Sequence, residues 1–278
     1  MLWPLFLLFS FVVSSMNLFG GDIRVIYSIK EAESVLQNLD QDALVVFDVD
    51  ETLIVSKDVA RRMHPRDSIS KVQNVYFDTI KDAEYRKYIN SVLLLMSEQK
   101  LIEPEITHII TDLQRRNIHV IVLTHMLSGS YHCIENMEKW RFAQLYELGI
   151  DISVGNPHTI NFFQLPHKNG RYPSFYKGVF ATARRCTKGA ALAAYIKELN
   201  LNPSKVIFFD DLLEHVQTVS DAMSECSIPS IAYHYKATEI TADELDIELA
   251  HFQYKYLLQH EVWLNDAQAR DIMMQLSK

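Results

Sequence analysis

The sequence predicts an α/β fold in which helices pack on a mostly parallel sheet. Short, wholly apolar runs alternate with stretches of helical periodicity, and polar residues follow directly after those runs. A strand that is apolar at every position is typical of a sheet covered on both faces, as parallel sheets are. In an open sheet of this kind, ligands bind outside the carboxyl ends of the strands.

The predicted strands differ in character along the chain. Residues 159–165 and 174–182 are aromatic and β-branched, and Asn169-Gly170 in the link between them favours a hairpin. The other predicted strands are short and mostly apolar, and they are therefore expected in the interior of the sheet. These are predicted at residues 42–47, 119–123, 151–154 and 206–209.

Helices are predicted where apolar residues recur every three or four positions. Thr187 is expected to cap one of them, because its hydroxyl can accept a hydrogen bond from a free amide of the first turn. The predicted helices cover residues 80–97, 104–116, 136–148, 188–199, 241–258 and 262–276, which gives the chain a helical C-terminus.

The composition is that of an ordinary globular protein, with 278 residues, 48% hydrophobic and 22% charged. The 8 glycines and 8 prolines argue against a disordered or collagen-like chain. A net charge of −8 argues against nucleic acid as a partner, because phosphate neutralisation needs a basic surface. Cys133, Cys186 and Cys226 are widely spaced without a CxxC pair, so neither a zinc knuckle nor a disulfide framework is expected.

The first 20 residues differ from the rest because they carry no charged side chain. The apolar run from Leu2 to Val13 is shorter than the roughly 20 residues that a spanning helix needs, and Ser14 and Ser15 follow it. This pattern predicts a signal peptide at residues 1–20 and an exported protein, periplasmic or secreted. No Lys or Arg precedes the run, so an uncleaved membrane anchor and a buried first helix are the alternatives.

Polar residues that suit one reaction follow the predicted strands or open a helix nearby. Each alone has an ordinary structural explanation, such as turn chemistry for the acids and solvation for the lysine. Together, at the same edge of a sheet, they are hard to attribute to coincidence. They are Asp48 and Asp50 after the first strand, Thr124-His125 after the second, Lys188 at a helix start, and Asp210-Asp211 after the last strand.

This combination of residue types fits phosphoryl transfer. Asp48 can act as a nucleophile that forms an aspartyl-phosphate, and Asp50 can protonate the leaving oxygen and then activate water. Carboxylates from two strand ends suit Mg²⁺, which would neutralise charge between an anionic nucleophile and an anionic substrate. Thr124 and Lys188 would bind the phosphoryl oxygens.

These segments, in this order across residues 42–216, resemble the four motifs of the haloacid dehalogenase (HAD) superfamily. The resemblance implies a Rossmann-like HAD core with small cap insertions, with Asp48 as nucleophile and Asp50 as acid/base. It implies Mg²⁺ bound by the Asp48 carboxylate, the Asp50 main-chain carbonyl and the acids Asp210 and Asp211. An aspartate at position 50 is what the phosphatase branch shows. The wider sequence also resembles a poorly characterised HAD-like group from intracellular bacteria.

Two features of the resemblance leave alternatives. The fourth motif often has a second acid or Asn four residues after its metal ligand, and Glu214 fits that position relative to Asp210, whereas His215 does not relative to Asp211. Asp210 is therefore the expected ligand and Asp211 the second candidate. His125 is expected to be a packed or solvated residue in preference to a substrate contact.

Two segments are candidates for the cover over the site. Residues 55–80 include Lys57, Arg61, Arg62, His64 and Arg66, which would either attract an anionic ester or form a solvated face. The hairpin at 159–182 occupies the position in the chain where caps are inserted and is the preferred cap candidate.

The sequence thus predicts a single domain at residues 21–278 that hydrolyses a small phosphorylated substrate with Mg²⁺. The expected activity is that of a phosphomonoester hydrolase that works through an aspartyl-phosphate. Membrane contact is expected only through the signal or an N-terminal anchor. The alternative is a secreted binding or effector protein of the same fold that keeps a vestigial Mg²⁺ site.

Overall fold

The computed structural model describes residues 21–62, 66–240 and 243–277. Within these ranges the chain has a mixed α/β fold with a mostly parallel central sheet. The predicted leader at residues 1–20 lies outside the described residues. Among the residues that are described, no helix combines the length and the apolar character needed to cross a membrane. Cys133, Cys186 and Cys226 are free thiols.

The central sheet has the strand order β1-β10-β9-β2-β5-β8-β7-β6. The neighbours from β1 to β8 pair in parallel, whereas β7 is antiparallel to both β8 and β6. A separate antiparallel pair is formed by β3 and β4. The strands are β1 (Asp22–Ile26), β2 (Leu44–Phe47), β3 (Ile54–Ser56), β4 (Gln99–Leu101), β5 (His119–Thr124), β6 (Thr159–Asn161), β7 (Ser174–Tyr176), β8 (Val179–Ala181), β9 (Val206–Asp210) and β10 (Ser230–Tyr235).

The described helices include those predicted at 80–97, 104–116, 136–148, 188–199 and 262–276, with ends shifted by a few residues. Thr187 caps α6 as expected, because its side chain accepts a hydrogen bond from the Ala190 amide. The helices are α1 (Glu33–Gln37), α2 (Arg66–Phe77), α3 (Ala83–Met96), α4 (Glu105–Arg115), α5 (Met137–Glu147), α6 (Lys188–Glu198), α7 (Leu213–Glu225), α8 (Ala237–Ile240), α9 (Ile247–His260) and α10 (Asp266–Leu276).

The central strands are apolar throughout because both faces of the sheet are covered. On β2, Val45 and Phe47 belong to one apolar cluster, and Leu44 and Val46 belong to another on the opposite face. The first cluster includes buried side chains of α1, α4 and α5, and the second includes those of α6 and α7. Successive side chains on a strand point to opposite faces, so the middle of a strand between two helical layers is apolar on both sides.

The strand predicted at residues 151–154 is wrong, because these residues form a turn. The position beside β5 where a strand would pair is occupied by β8, which pairs with Val122–Thr124. Instead, the Asn156 side-chain amide holds the turn by donating to the main-chain carbonyls of Val120, Ile152 and Val154. The alternation of polar and apolar residues in Asp151-Ile152-Ser153-Val154 did not distinguish a turn from a short strand.

In residues 159–182 the predicted antiparallel pairing is present, since β6 pairs with β7 across the link that contains Asn169 and Gly170. Asn169 and Gly170 have φ of 54° and 72°, as an Asn-Gly turn requires, but only one bridge, Lys168 to Arg171, flanks them. A second, tighter hairpin that was not predicted lies between β7 and β8, at Lys177-Gly178. These strands extend the edge of the central sheet.

A second apolar core lies outside the sheet and joins the middle of the chain to its C-terminus. Ala60 and Phe77 of the predicted insert 55–80 pack in one buried cluster with Tyr254 and Leu257 of α9, and α3 contributes to the same cluster. Helix α9 begins after Asp246, which caps it, so the start predicted at residue 241 is wrong. The predicted insert 55–80 is thus held by the C-terminal helices.

Candidate active site

The register of the sheet brings the first and fourth motifs side by side. Phe47 on β2 pairs with Phe209 on β9, and their rings stack with centroids 4.8 Å apart. Asp48 and Asp210 are the next residues on these two parallel strands, so both carboxylates emerge at the same edge of the sheet. Each aspartate directly follows the apolar part of its strand, so the sequence already predicts that the two carboxylates lie close together.

Lys188 joins these two carboxylates. Its ammonium group is fully buried and donates to Oδ1 of Asp48 and to Oδ2 of Asp210, the latter at 2.6 Å. Lys188 is the first residue of α6, and the next residue is Gly189. A Cβ on Gly189 would lie 1.9 Å from the Thr218 carbonyl oxygen of α7. Glycine therefore permits the close approach of α6 to α7 that brings the lysine into the site.

Asp210 is fully engaged by protein groups. Its Oδ1 accepts hydrogen bonds from the Leu212 amide at 2.9 Å and from His215 Nδ1 at 3.2 Å, while Oδ2 accepts from Lys188. Burial raises the pKa of Asp210, but Lys188 and His215 outweigh it and leave that pKa lowered. Asp210 is therefore a buried anion that fixes the lysine.

Asp48 lies in a different electrostatic environment from Asp210. Burial raises its pKa well above the ordinary value, and the neighbouring charges of Asp210, Asp211 and Asp50 act in the same direction. Lys188 opposes these effects without cancelling them. A cation beside Asp48 would favour its ionised form, because it would relieve the repulsion between these carboxylates.

Asp211 completes a cluster of acids. Carboxylate oxygens of Asp48, Asp210 and Asp211 all lie within 4.8 Å of one another. The Thr52 hydroxyl connects two of these residues, since it lies 3.4 Å from Asp48 Oδ2 and accepts from the Asp211 amide at 3.2 Å. Hard oxygen donors at this spacing fit a hard cation such as Mg²⁺. Asp211 lines the cavity described below, whereas Asp210 lies behind it.

Asp50 is only half-buried and has one strong partner. Nη2 of Arg141 donates to Oδ1 and Oδ2 of Asp50 at 2.9 and 3.1 Å. The Arg141 side chain is only 6% exposed, whereas that of Asp50 is 47% exposed. Asp50 thus faces the open side of the site, as a group that contacts substrate must.

Thr124 and His125 end β5 beside these acids, and both line the cavity. Nδ1 of His125 lies 2.8 Å from the Thr182 hydroxyl, and its ring lies 5.4 Å from that of His215. Burial, with the nearby His215, lowers the pKa of His125 to about 4. The side chain of His125 is exposed at the cavity, so its role as a packed or solvated residue in preference to a substrate contact stays a prediction.

A cavity of about 900 Å³ opens onto Asp48, Asp50, Thr124 and Asp211. Its far wall comes from the predicted insert 55–80 and from α3 and α5. No residue of the cap candidate 159–182 is among the described residues that line the cavity. Pairing with β5 holds the hairpin in the sheet instead.

Part of the basic cluster in 55–80 reaches the cavity. Arg61 and Arg62 line it, while Lys57 forms an ion pair with Glu98 at 2.7 Å. His64 and the side chain of Arg66 lie outside the described part of the chain. The cluster is thus divided between the cavity and the surface.

A family model described as "Protein of unknown function (DUF2608)" matches residues 26–270. The chain belongs to this family. The "Uncharacterized protein RP296" of Rickettsia prowazekii (strain Madrid E) is 22% identical over 241 residues, covering 87% of this chain and 86% of its own. An "Uncharacterized protein" of Rickettsia bellii (strain RML369-C) is 24% identical over 249 residues, covering 83% of this chain and 81% of its own. No solved structure matches the chain.

The site of this DUF2608 protein also contains residues that sequence reasoning missed. Arg141 is one, although its position carried a signal. It lies four residues after Met137 and four before Leu145, on the buried stripe of α5. A buried arginine is rare without a partner, so a charge on that stripe indicates an ion pair. Arg184 and Arg185, which also line the cavity, showed no comparable pattern.

Proposed function

We propose that this protein is a Mg²⁺-dependent phosphomonoester hydrolase with a HAD-type core. The observation that carries the proposal is the convergence of Asp48, Asp210 and Asp211 within 4.8 Å around the buried ammonium group of Lys188. Nucleophile, counter-charge and metal donors thus lie together at the carboxyl ends of two adjacent parallel strands, next to an open cavity. Such strand ends are where α/β sheets bind ligands.

In the proposed reaction, a carboxylate oxygen of Asp48 attacks phosphorus and forms an aspartyl-phosphate as the ester P–O bond breaks. Asp50 gives its proton to the departing alkoxide and is left as a carboxylate. That carboxylate then takes a proton from water, whose oxygen attacks phosphorus and releases inorganic phosphate. Free Asp48 is thereby regenerated, and splitting the displacement in two is the advantage of a covalent intermediate.

The donor set indicates which residues would hold the metal. Asp48 and Asp211 line the cavity and offer carboxylate oxygens, and the HAD resemblance adds the Asp50 main-chain carbonyl. Asp211 lines the cavity whereas Asp210 lies behind it, so we assign Asp211 as the direct ligand in place of Asp210. Bound Mg²⁺ would supply positive charge between carboxylates and phosphoryl oxygens. Lys188 supplies a second, fixed positive charge on the buried side.

Phosphate release from a broad panel of phosphate esters, with Mg²⁺ and with EDTA, tests the proposal. We expect turnover with Mg²⁺, and loss of it in EDTA and in Asp48→Asn, which removes the nucleophile but leaves the fold. Asp42→Asn is the matched control, since Asp42 is exposed just before β2. Undiminished turnover by purified Asp48→Asn would refute the mechanism. Mg²⁺ binding without turnover on any ester would favour the alternative of a binding protein of this fold.

A further inference from the structure

The cavity wall carries more positive charge than the removal of one phosphoryl group requires. Five arginines line it: Arg61, Arg62, Arg141, Arg184 and Arg185. Two of these are neutralised by carboxylates, Arg62 by Asp243 at 2.6 Å and Arg141 by Asp50. In the proposed reaction the transferred phosphoryl group is already served by Lys188, Thr124 and the metal. The remaining guanidinium groups need another role.

Arg184 and Arg185 are adjacent in sequence and belong to the cavity arginines that are not paired with a carboxylate among the described residues. Nε of Arg184 donates to the His125 main-chain carbonyl at 3.3 Å, which ties the turn that carries both arginines to the end of β5. Lys188 follows three residues after Arg185. The two guanidinium groups are thus carried by the segment that leads directly into the proposed phosphoryl site.

The backbone of this turn is held in an uncommon conformation. Ala183 and Arg184 have φ of 56° and 55°, although neither is glycine. Left-handed conformations at successive non-glycine residues are costly and persist where the surroundings enforce them, most often at functional sites. Ala183 is fully buried, so packing holds the turn while two successive arginines lie at the cavity.

We propose that the turn Ala183–Arg185 is a second anion subsite, at which Arg184 and Arg185 bind a further anionic group of the substrate. The planar guanidinium forks match the oxygens of a carboxylate or phosphate, which is why arginine serves such sites. The substrates are therefore phosphate esters with a second anionic group within the span of the 900 Å³ cavity. This identity of the substrate rests on the proposed hydrolase function; the anion binding does not.

Two measurements separate the claims. The first is kcat/KM for alkanediol bisphosphates, from ethanediol to hexanediol, against the corresponding monophosphates. The second is calorimetric binding of propane bisphosphonate against propyl phosphonate in the presence of Mg²⁺. We expect a preference for the doubly anionic member of about 10- to 100-fold in both, as one or two charge-assisted hydrogen bonds provide.

The variants are chosen to keep the turn folded. Arg184→Asn suits the left-handed backbone, since asparagine tolerates it, and Arg185→Gln keeps a polar side chain. Each is expected to reduce the preference about tenfold or more. Arg115→Gln, at an exposed ion pair on α4, is the matched control and is expected to keep it. Circular dichroism and the thermal midpoint verify folding.

The outcomes distinguish the two proposals. Turnover of monophosphates and bisphosphates with equal kcat/KM, together with equal binding of the two phosphonates, overturns the subsite and leaves the hydrolase intact. Selective bisphosphonate binding that both arginine variants lose, without turnover of any ester, supports the subsite and refutes the hydrolase. A preference that survives in Arg184→Asn and Arg185→Gln also overturns the subsite.

Discussion

Arg141 holds Asp50 from a buried position, with one guanidinium nitrogen 2.9 and 3.1 Å from the two carboxylate oxygens. The same side chain donates to Gln144 on its own helix and lies against the Trp140 ring, 4.8 Å from its centroid. These contacts fix the guanidinium group, whereas Asp50 is half-exposed. Arg141 therefore sets the position of the proposed acid/base.

Replacing Arg141 by Gln is expected to lower kcat by about 10- to 100-fold, because Asp50 would lose its orientation and a small misplacement of a catalytic group is costly. Arg141→Lys is expected to fall between Gln and wild type, since it keeps the charge but not the planar fork. Steady-state kinetics on the best ester, with the thermal midpoint as a check on folding, measures this. Wild-type kcat in Arg141→Gln would remove Arg141 from this role.

Asp50→Asn is expected to slow turnover by about 10²–10⁴-fold, as loss of a general acid/base does. Asparagine keeps the shape of the side chain but cannot supply or take the proton. Departure of the leaving group and hydrolysis of the intermediate both slow. An activated aryl ester needs no proton on its leaving group, so with this substrate phosphoenzyme is expected to accumulate. Intact-protein mass spectrometry after rapid quenching detects the added phosphate. A variant with unchanged turnover would contradict the assignment.

The strand ends were predictable because the signal is local. Asp48 and Asp210 directly follow wholly apolar runs, and parallel pairing then brings them together. Strands β1 and β10 were missed because polar residues interrupt both, so that neither contains a wholly apolar run of four residues. The sequence therefore indicated where the candidate site residues lie but did not indicate all the strands of the sheet.

The sequence offered two candidate covers and preferred the wrong one, because the contacts that hold residues 55–80 over the cavity are distant in sequence. Asp58 accepts hydrogen bonds from the Trp263 indole at 2.8 Å and from the Asp266 amide at 3.0 Å. More than 200 residues separate these partners, and no local pattern records such pairing. For Arg141 the prediction was partial: its helix was predicted from the sequence, but its ion pair with Asp50 was not.

Replacing Lys188 by Met is expected to cost about 3–5 kcal/mol of unfolding free energy, the typical effect of removing one partner from a buried ion pair. Asp48 and Asp210 would both lose their buried counter-charge. Adding Asp210→Asn should recover part of the loss, because it removes one unpaired charge. Urea unfolding in EDTA measures both variants without a compensating metal ion. Equal stability of Lys188→Met and wild type would refute the electrostatic account.

Mg²⁺ is expected to raise the thermal midpoint, because it would bind only the folded acid cluster. A ligand at about 100 times its Kd adds about 2.7 kcal/mol of stability. Asp211→Asn should abolish this shift, whereas Asp221→Asn, at an exposed position of α7, should retain it. Scanning fluorimetry across a Mg²⁺ titration makes the comparison. Loss of the shift in Asp210→Asn together with its retention in Asp211→Asn would reverse the ligand assignment.

The stability of the fold is expected to fall on acidification through His119, at the start of β5. Its Nε2 lies 2.8 Å from Asn156 Oδ1 and 3.1 Å from the Tyr195 hydroxyl. Burial lowers the pKa of His119 below its ordinary value, and the hydrogen bond to Asn156 only partly offsets this. Below about pH 6.5 the unfolded chain therefore binds a proton that the folded chain does not, so stability declines until the lower, folded-state pKa is passed.

The slope from this one group is at most about 1.4 kcal/mol per pH unit, since one proton is linked to unfolding. His119→Gln keeps a side-chain donor for Asn156 and does not titrate, so its unfolding free energy should depend less on pH than that of wild type. His108→Gln, at an exposed position of α4, is the control and should keep the wild-type dependence. Urea unfolding from pH 7.5 to about pH 5 isolates the contribution of His119, because the remaining titratable groups contribute equally to all three proteins. Parallel curves for His119→Gln and wild type would show that the buried imidazole does not set this slope.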